Sequence, residues 1–193
     1  MPVEVQELAN GLWRWTAAHP AWREGADWDR DVGCVYFESA AATVLVDPLV
    51  PDERGRFFDA LDRDVERRAL PVTILLTCDW HRRSTDELVE RYGAAVAAPP
   101  EDVVALPVDV VRETLYWLPR HEALVVGDAL LADGDGGVRL PPDTWLDGDA
   151  PAQLRRDLHA LLDLPIRRLL VSHGAPVLED GHAALTRALL AET

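Results

Sequence analysis

At 193 residues, 48% of them hydrophobic, the chain is long enough to bury a core without disulfide or metal staples and too apolar to be disordered. Its formal charge of −15 repels phosphate backbones and anionic headgroups, which argues against nucleic acid and membrane surfaces as partners. Two cysteines are too few for a disulfide framework, and all 19 basic residues are arginine, so lysine chemistry is excluded.

The chain opens on "MPVEVQELAN", which has neither the basic lead nor the apolar centre of a signal peptide. No apolar run nears the ~20 residues of a membrane span. A cytoplasmic protein folded as a single domain over 1–193 is expected. Residues 3–17 alternate in polarity and turn at Asn10-Gly11, a hairpin signal. A loop rich in charge and tryptophan follows, with Trp22 and Trp28. "VGCVYFES" and "AATVLVDPLV" read as two strands, the second stopped by Asp47-Pro48. Residues 52–69 have a helical period, with Phe57, Phe58, Leu61 and Val65 on one face. "VTILLT" (72–77) is a short apolar run suited to a central strand.

Ser84-Thr85-Asp86-Glu87 has the pattern of a capping box, opening a helix that ends at Gly93. "AAVAAP" predicts a strand and "EDVVAL" a short helical turn. "VDVVRETLYWLP" and "EALVVGDALL" predict two strands, separated by a loop "DGDGG" from a helix over "PAQLRRDLHALLDL". Leu154, Leu158, Leu161 and Leu162 face inward on that helix, and His159 lies on its polar side. "IRRLLVSHGAPV" is a strand running into a loop, and "HAALTRALLAE" closes with a helix. This order is not the regular alternation of a doubly wound sheet; mixed sheets with helices outside fit it better.

The chemistry concentrates in "ILLTCDWHRRS" (74–84), where a strand hands a thiol, a carboxylate, an indole, an imidazole and two guanidiniums to a loop. Together with "TVLVDPLV", "ALVVGDALL" and "LLVSHGAPV", this segment resembles the metallo-β-lactamase fold superfamily over nearly the whole chain. The resemblance implies an α/β fold, a four-layer αβ/βα sandwich with a metal site at one edge of two sheets. At these places the family carries an Asp-Pro or Asp-Gly strand end, Thr-His-x-His-x-Asp-His, Gly-Asp-x-Leu and Gly-His-Gly. Gly127-Asp128-Ala129-Leu130 matches the third, putting Asp128 at the bridging carboxylate. Ser172-His173-Gly174 matches the fourth, putting His173 at the last ligand.

The main motif departs from the pattern. Anchored on Thr77, Cys78 and Trp80 replace the first two histidines, Arg82 the aspartate and Arg83 the third histidine. Shifted by one, His81 falls on the second histidine and Asp79 on the first. The middle histidine is also absent; Glu113 and Thr114 stand there.

Two readings follow. In the first, the protein has lost most of its metal ligands and carries no cofactor. Its old cleft, lined by Trp80, His81, Arg82 and Arg83, binds a small anionic molecule or partner, because an always-charged guanidinium pairs with carboxylate or phosphate and cannot coordinate a cation. In the second, Asp128, His173 and His81 (or Asp79, or Cys78 as thiolate) hold one Zn or Fe ion, and the protein is a mononuclear hydrolase of an ester, thioester or lactone. The resemblance also makes the loop of Trp22 and Trp28 a flap, which with Trp80 and Trp145 would offer an aromatic wall to a flat ligand. A homo-oligomer with a structural role is a third expectation.

Overall fold

The structure, a computed structural model, describes residues 5–191. Val3 and Glu4 of the expected first hairpin and Glu192 of the expected last helix lie outside the described residues. The chain divides into two compact units, one ending at Val103 and the other beginning at Val104.

The first unit contains strands β1 (Val5–Ala9), β2 (Leu12–Ala18), β3 (Asp31–Glu38) and β4 (Thr43–Val46), helix α1 (Arg54–Arg68), β5 (Val72–Leu75), helix α2 (Thr85–Tyr92) and β6 (Ala95–Val96). Its sheet runs β1-β2-β3-β4-β5-β6, antiparallel up to β4 and parallel from β4 to β6. The parallel pairs are those joined through a helix, as a crossover connection requires. Gly11 makes the β1–β2 turn at φ +80°, a conformation that glycine enters without steric cost. The apolar faces of α1 and α2 pack on one side of the sheet, where Leu61 and Leu88 meet Trp15, Cys34, Tyr36, Leu45 and Ile74.

Helix α1 is the predicted 52–69 helix, closed by Ala69 in the left-handed region with its N–H on the Val65 carbonyl. Helix α2 likewise ends at Gly93, at φ +62°. The capping box does not form: no side chain caps α2, and the Ser84 hydroxyl instead accepts the Val50 N–H at 2.9 Å. A backbone donor from the segment after β4 has taken the oxygen that sequence proximity assigned to the helix.

The second unit contains β7 (Val104–Val108), β8 (Glu113–Leu118), β9 (Ala123–Val126), β10 (Leu131–Ala132), β11 (Val138–Arg139), helix α3 (Ala150–His159), β12 (Arg168–Val171) and helix α4 (Gly181–Leu190). Its main sheet runs β12-β9-β8-β7, with β12 parallel to β9 and the rest antiparallel; β10 and β11 form a separate hairpin. Leu154 and Leu158 of α3 and Leu185 of α4 are fully buried against Leu115, Trp117, Leu124 and Leu169. His159 is exposed, as its helical phase predicts.

"EDVVAL" is corrected: Val104 and the residues after it are strand, paired with β8 in the register Val104↔Trp117. Pairing with a neighbouring strand overrides a weak local helical preference. Pro107, which has no N–H to give, sits in this edge strand, where sheets tolerate proline. "EALVVGDALL" is broken in two by a turn at Gly127–Leu130, because the Gly-Asp pair leaves the ladder after Val126. Among the described residues no helix is long and apolar enough to cross a membrane.

Candidate functional site

In the first unit the site is organised around Asp47. It ends β4 in the left-handed region at φ +47°, which aspartate tolerates better than most residues. Its side chain is buried between two apolar runs. Oδ1 accepts the Thr77 N–H at 2.8 Å, and Oδ2 accepts the Thr77 hydroxyl at 2.6 Å. Nδ1 of His81 lies 2.9 Å from the same Oδ2 and 3.0 Å from Thr77 Oγ1. A carboxylate only accepts and the Thr77 hydroxyl proton already points at it, so Nδ1 is the donor. In the neutral ring the lone pair then belongs to Nε2, the arrangement a metal-ligating histidine needs. His81 reaches this place from a kinked 3₁₀ segment, Asp79–Arg82, that begins four residues after β5 ends, and is 4% exposed.

The other predicted residues of the loop separate. Trp80 is 49% exposed. Arg82 is exposed and ion-paired to Asp86 in the first turn of α2. Arg83 turns the chain at φ +39°, and its guanidinium donates to the carbonyls of Gly33 at 3.1 Å and Asp47 at 2.9 Å. Cys78 is buried beside Thr77, whose hydroxyl is 3.8 Å from its sulfur. Cys34 is buried too; its sulfur accepts the Leu49 N–H, and burial pushes its thiol pKa up, against nucleophilic use. Trp22 donates its indole N–H to the Trp28 carbonyl, and Trp28 packs partly against the first unit's core.

In the second unit Asp128 and His173 meet, with His173 Nε2 3.2 Å from Asp128 Oδ1. Each is positioned by backbone. The His173 carbonyl accepts the Ala132 N–H at 3.0 Å, and Gly174 follows at φ +86°. Trp145 stands edge-on to the His173 ring, with centroids 6.2 Å apart. The turn carrying Asp128 is held by Glu113, whose carboxylate accepts the N–H groups of Gly127, Asp128 and Ala129 at 2.6, 2.8 and 2.7 Å. Burial, and then the nearby Asp128 charge, raise the Glu113 pKa from an ordinary 4.5 to about 7, against the pull of the three N–H bonds. Glu113 stands in the sequence where the resemblance puts a ligand histidine; its oxygens serve the backbone.

Two residues missed as site residues are therefore Asp47 and Glu113. Both had a signal: an acidic side chain abutting a run such as "TVLV" or "TLYWL" is either at a surface or buried with partners. Which of the two holds is not written locally.

Among donor types, imidazole at His81 and His173, carboxylate at Asp128 and thiol at Cys78 suit zinc or iron. His81 passes the stricter test, since its second nitrogen is already held by a buried carboxylate.

No family model matches the chain, and no curated protein matches it. Solved structures do. A metallo-β-lactamase from Erythrobacter litoralis is 21% identical and superposes with a TM-score of 0.63 over 97% of this chain and 90% of its own. A metallo-β-lactamase from Pontibacter korlensis (13% identity, TM-score 0.56) covers 97% of each chain. A metallo-β-lactamase family protein from Thermus thermophilus is 18% identical, with a TM-score of 0.53 over 94% of this chain and 79% of its own. The chain has the metallo-β-lactamase fold.

Proposed function

We propose that the protein is a mononuclear metal-dependent hydrolase that acts on an ester, thioester or lactone through a reduced ligand set. The donors are Asp128 and His173, named by the motif resemblance, together with His81. The observation that carries this reading is the Asp47–Thr77–His81 network. A buried carboxylate that fixes a buried imidazole by one nitrogen is the outer support that metal-ligating histidines use. The guanidiniums of Arg82 and Arg83, which stand in the motif where metal ligands are expected, have other work: Arg82 pairs with Asp86 and Arg83 binds backbone carbonyls. Bound, a divalent ion would polarise the substrate carbonyl and lower the pKa of water. The chain's own part is to orient the donors, with Asp47 holding the His81 ring and Glu113 holding the turn of Asp128.

The test is metal analysis of protein purified without chelator, followed by zinc titration. We expect about one ion per chain, as a single site requires. His81→Ala, Asp128→Ala and His173→Ala should each weaken binding, and should abolish turnover of a panel of esters, thioesters and lactones. Wild-type protein that takes up no metal even when zinc is offered overturns the reading. That result would favour the second one, a metal-free site for a small ligand, for which the half-exposed Trp80 offers an apolar surface.

A further inference from the structure

The first unit has a cavity apart from the Asp47–Thr77–His81 network. It lies between α1 and the outer strands of the sheet and has a volume of about 370 Å³, within the range of small-molecule sites. Its walls are aromatic: Trp13, Trp15, Tyr36 and Phe57 all line it. Trp13 stands edge-on to Tyr36 at 5.1 Å between centroids, and Trp15 lies 5.5 Å from Phe57. The floor is rigid, because Trp15 and Tyr36 are buried and the Trp15 indole N–H is tied to the Leu49 carbonyl at 2.9 Å.

The polar rim carries two arginines against one acid, in a protein of net charge −15. Arg56 and Arg63 line the opening from α1, seven residues apart and so on one helix face. Neither makes an ion pair among the described residues, whereas Asp64, which also lines the opening, is engaged by Arg67 at 3.0 Å. Other arginines of α1 and α2 do find acidic partners: Arg54 with Glu87, Arg68 with Glu38 and Arg91 with Asp62. Two guanidiniums left over at the mouth of an aromatic cavity fit an anionic head on an apolar body.

We propose that this cavity binds a small amphipathic carboxylate, its acyl or aromatic body among the four rings and its head on Arg56 and Arg63. The inference is independent of the metal-site reading.

Octanoate is the probe, with octanol and octylammonium as head-group controls. Binding is read by calorimetry and by tryptophan fluorescence. Octanoate should bind saturably, one per chain, with octanol about tenfold weaker, the effect of one modest charge-assisted contact, and octylammonium not at all. The double variant Arg56→Ala/Arg63→Ala should bring octanoate down to the octanol level while leaving octanol unchanged. Ala60→Trp places a ring in the cavity from an exposed helix position and should abolish both, with the circular dichroism of the folded protein retained. The proposal fails if octanoate does not saturate, if octanol binds equally well, or if Ala60→Trp binds octanoate like the wild type.

Discussion

Asp47 illustrates how much one buried side chain can organise. It accepts three hydrogen bonds from Thr77 and His81 while sitting in the left-handed backbone region, which aspartate enters more readily than alanine. Asp47→Ala leaves buried donors without acceptors and should cost about 2–4 kcal/mol in urea denaturation. Asp47→Asn keeps one oxygen and tolerates the left-handed turn, so it should cost about 1 kcal/mol less. If His81 is a metal ligand, both variants should also weaken zinc binding by about 10–100-fold. A full-strength zinc titration in Asp47→Ala would remove the second-nitrogen argument.

Glu113 makes a different prediction, in pH. Its carboxyl holds a proton more tightly in the folded chain, at about 7, than at the ordinary 4.5 of the unfolded one. Between those values the native state binds more protons, so stability falls as pH rises through this window and is level above it. The full change is about 3–4 kcal/mol, at about 1.4 kcal/mol per pKa unit. Glu113→Gln cannot titrate. Its amide also turns an N–H toward one of three backbone donors, so the variant should be less stable at pH 8 yet lack the wild-type slope between pH 5 and 7. Urea midpoints at four pH values decide it; an unchanged slope in the variant means that another group is responsible.

Two glycines at helix ends separate conformational freedom from space. Gly93 closes α2 in the left-handed region, and a methyl added there would meet open space, so Gly93→Ala carries only backbone strain, about 1 kcal/mol. Gly181 begins α4, and a Cβ there would meet the Arg167 carbonyl oxygen at 2.9 Å, the same oxygen its N–H bonds. Gly181→Ala must push α4 away from the segment leading into β12. We expect it to cost more than Gly93→Ala, about 2–3 kcal/mol, in a side-by-side thermal or urea comparison. The strands make a related point. "VVALPV" carries the same apolar run whether it is helix or strand, and the decision came from β8, which offers it a partner. Ser84 is similar, since its hydroxyl served whichever backbone N–H came nearest.

Over the whole molecule the excess of acid is the dominant long-range term. With a net charge of −15, self-repulsion disfavours the compact state. Raising NaCl from about 10 to 150 mM shortens the Debye length from ~30 to ~8 Å, so the urea midpoint should rise. A fall would mean that exposed pairs such as Arg82–Asp86 outweigh the repulsion, which surface ion pairs seldom do.

Most of the elements, and through their motifs the metallo-β-lactamase fold, were legible from residues alone. Helical and strand periodicities repeat within a few residues, and the apolar faces of α1, α3 and the central strands are local patterns. Asp128 and His173 stood out as candidates because they sit in short motifs of their own, and folding brings them within 3.2 Å of each other. The partners of the polar groups were not legible. Asp47 meets Thr77 and His81 from 30 and 34 residues away, and Glu113 meets its three N–H donors from 14 to 16. Whether a carboxylate or guanidinium turns to solvent, to backbone or to a neighbouring ring depends on what folding brings within about 3 Å of it, and only the folded chain contains that distance.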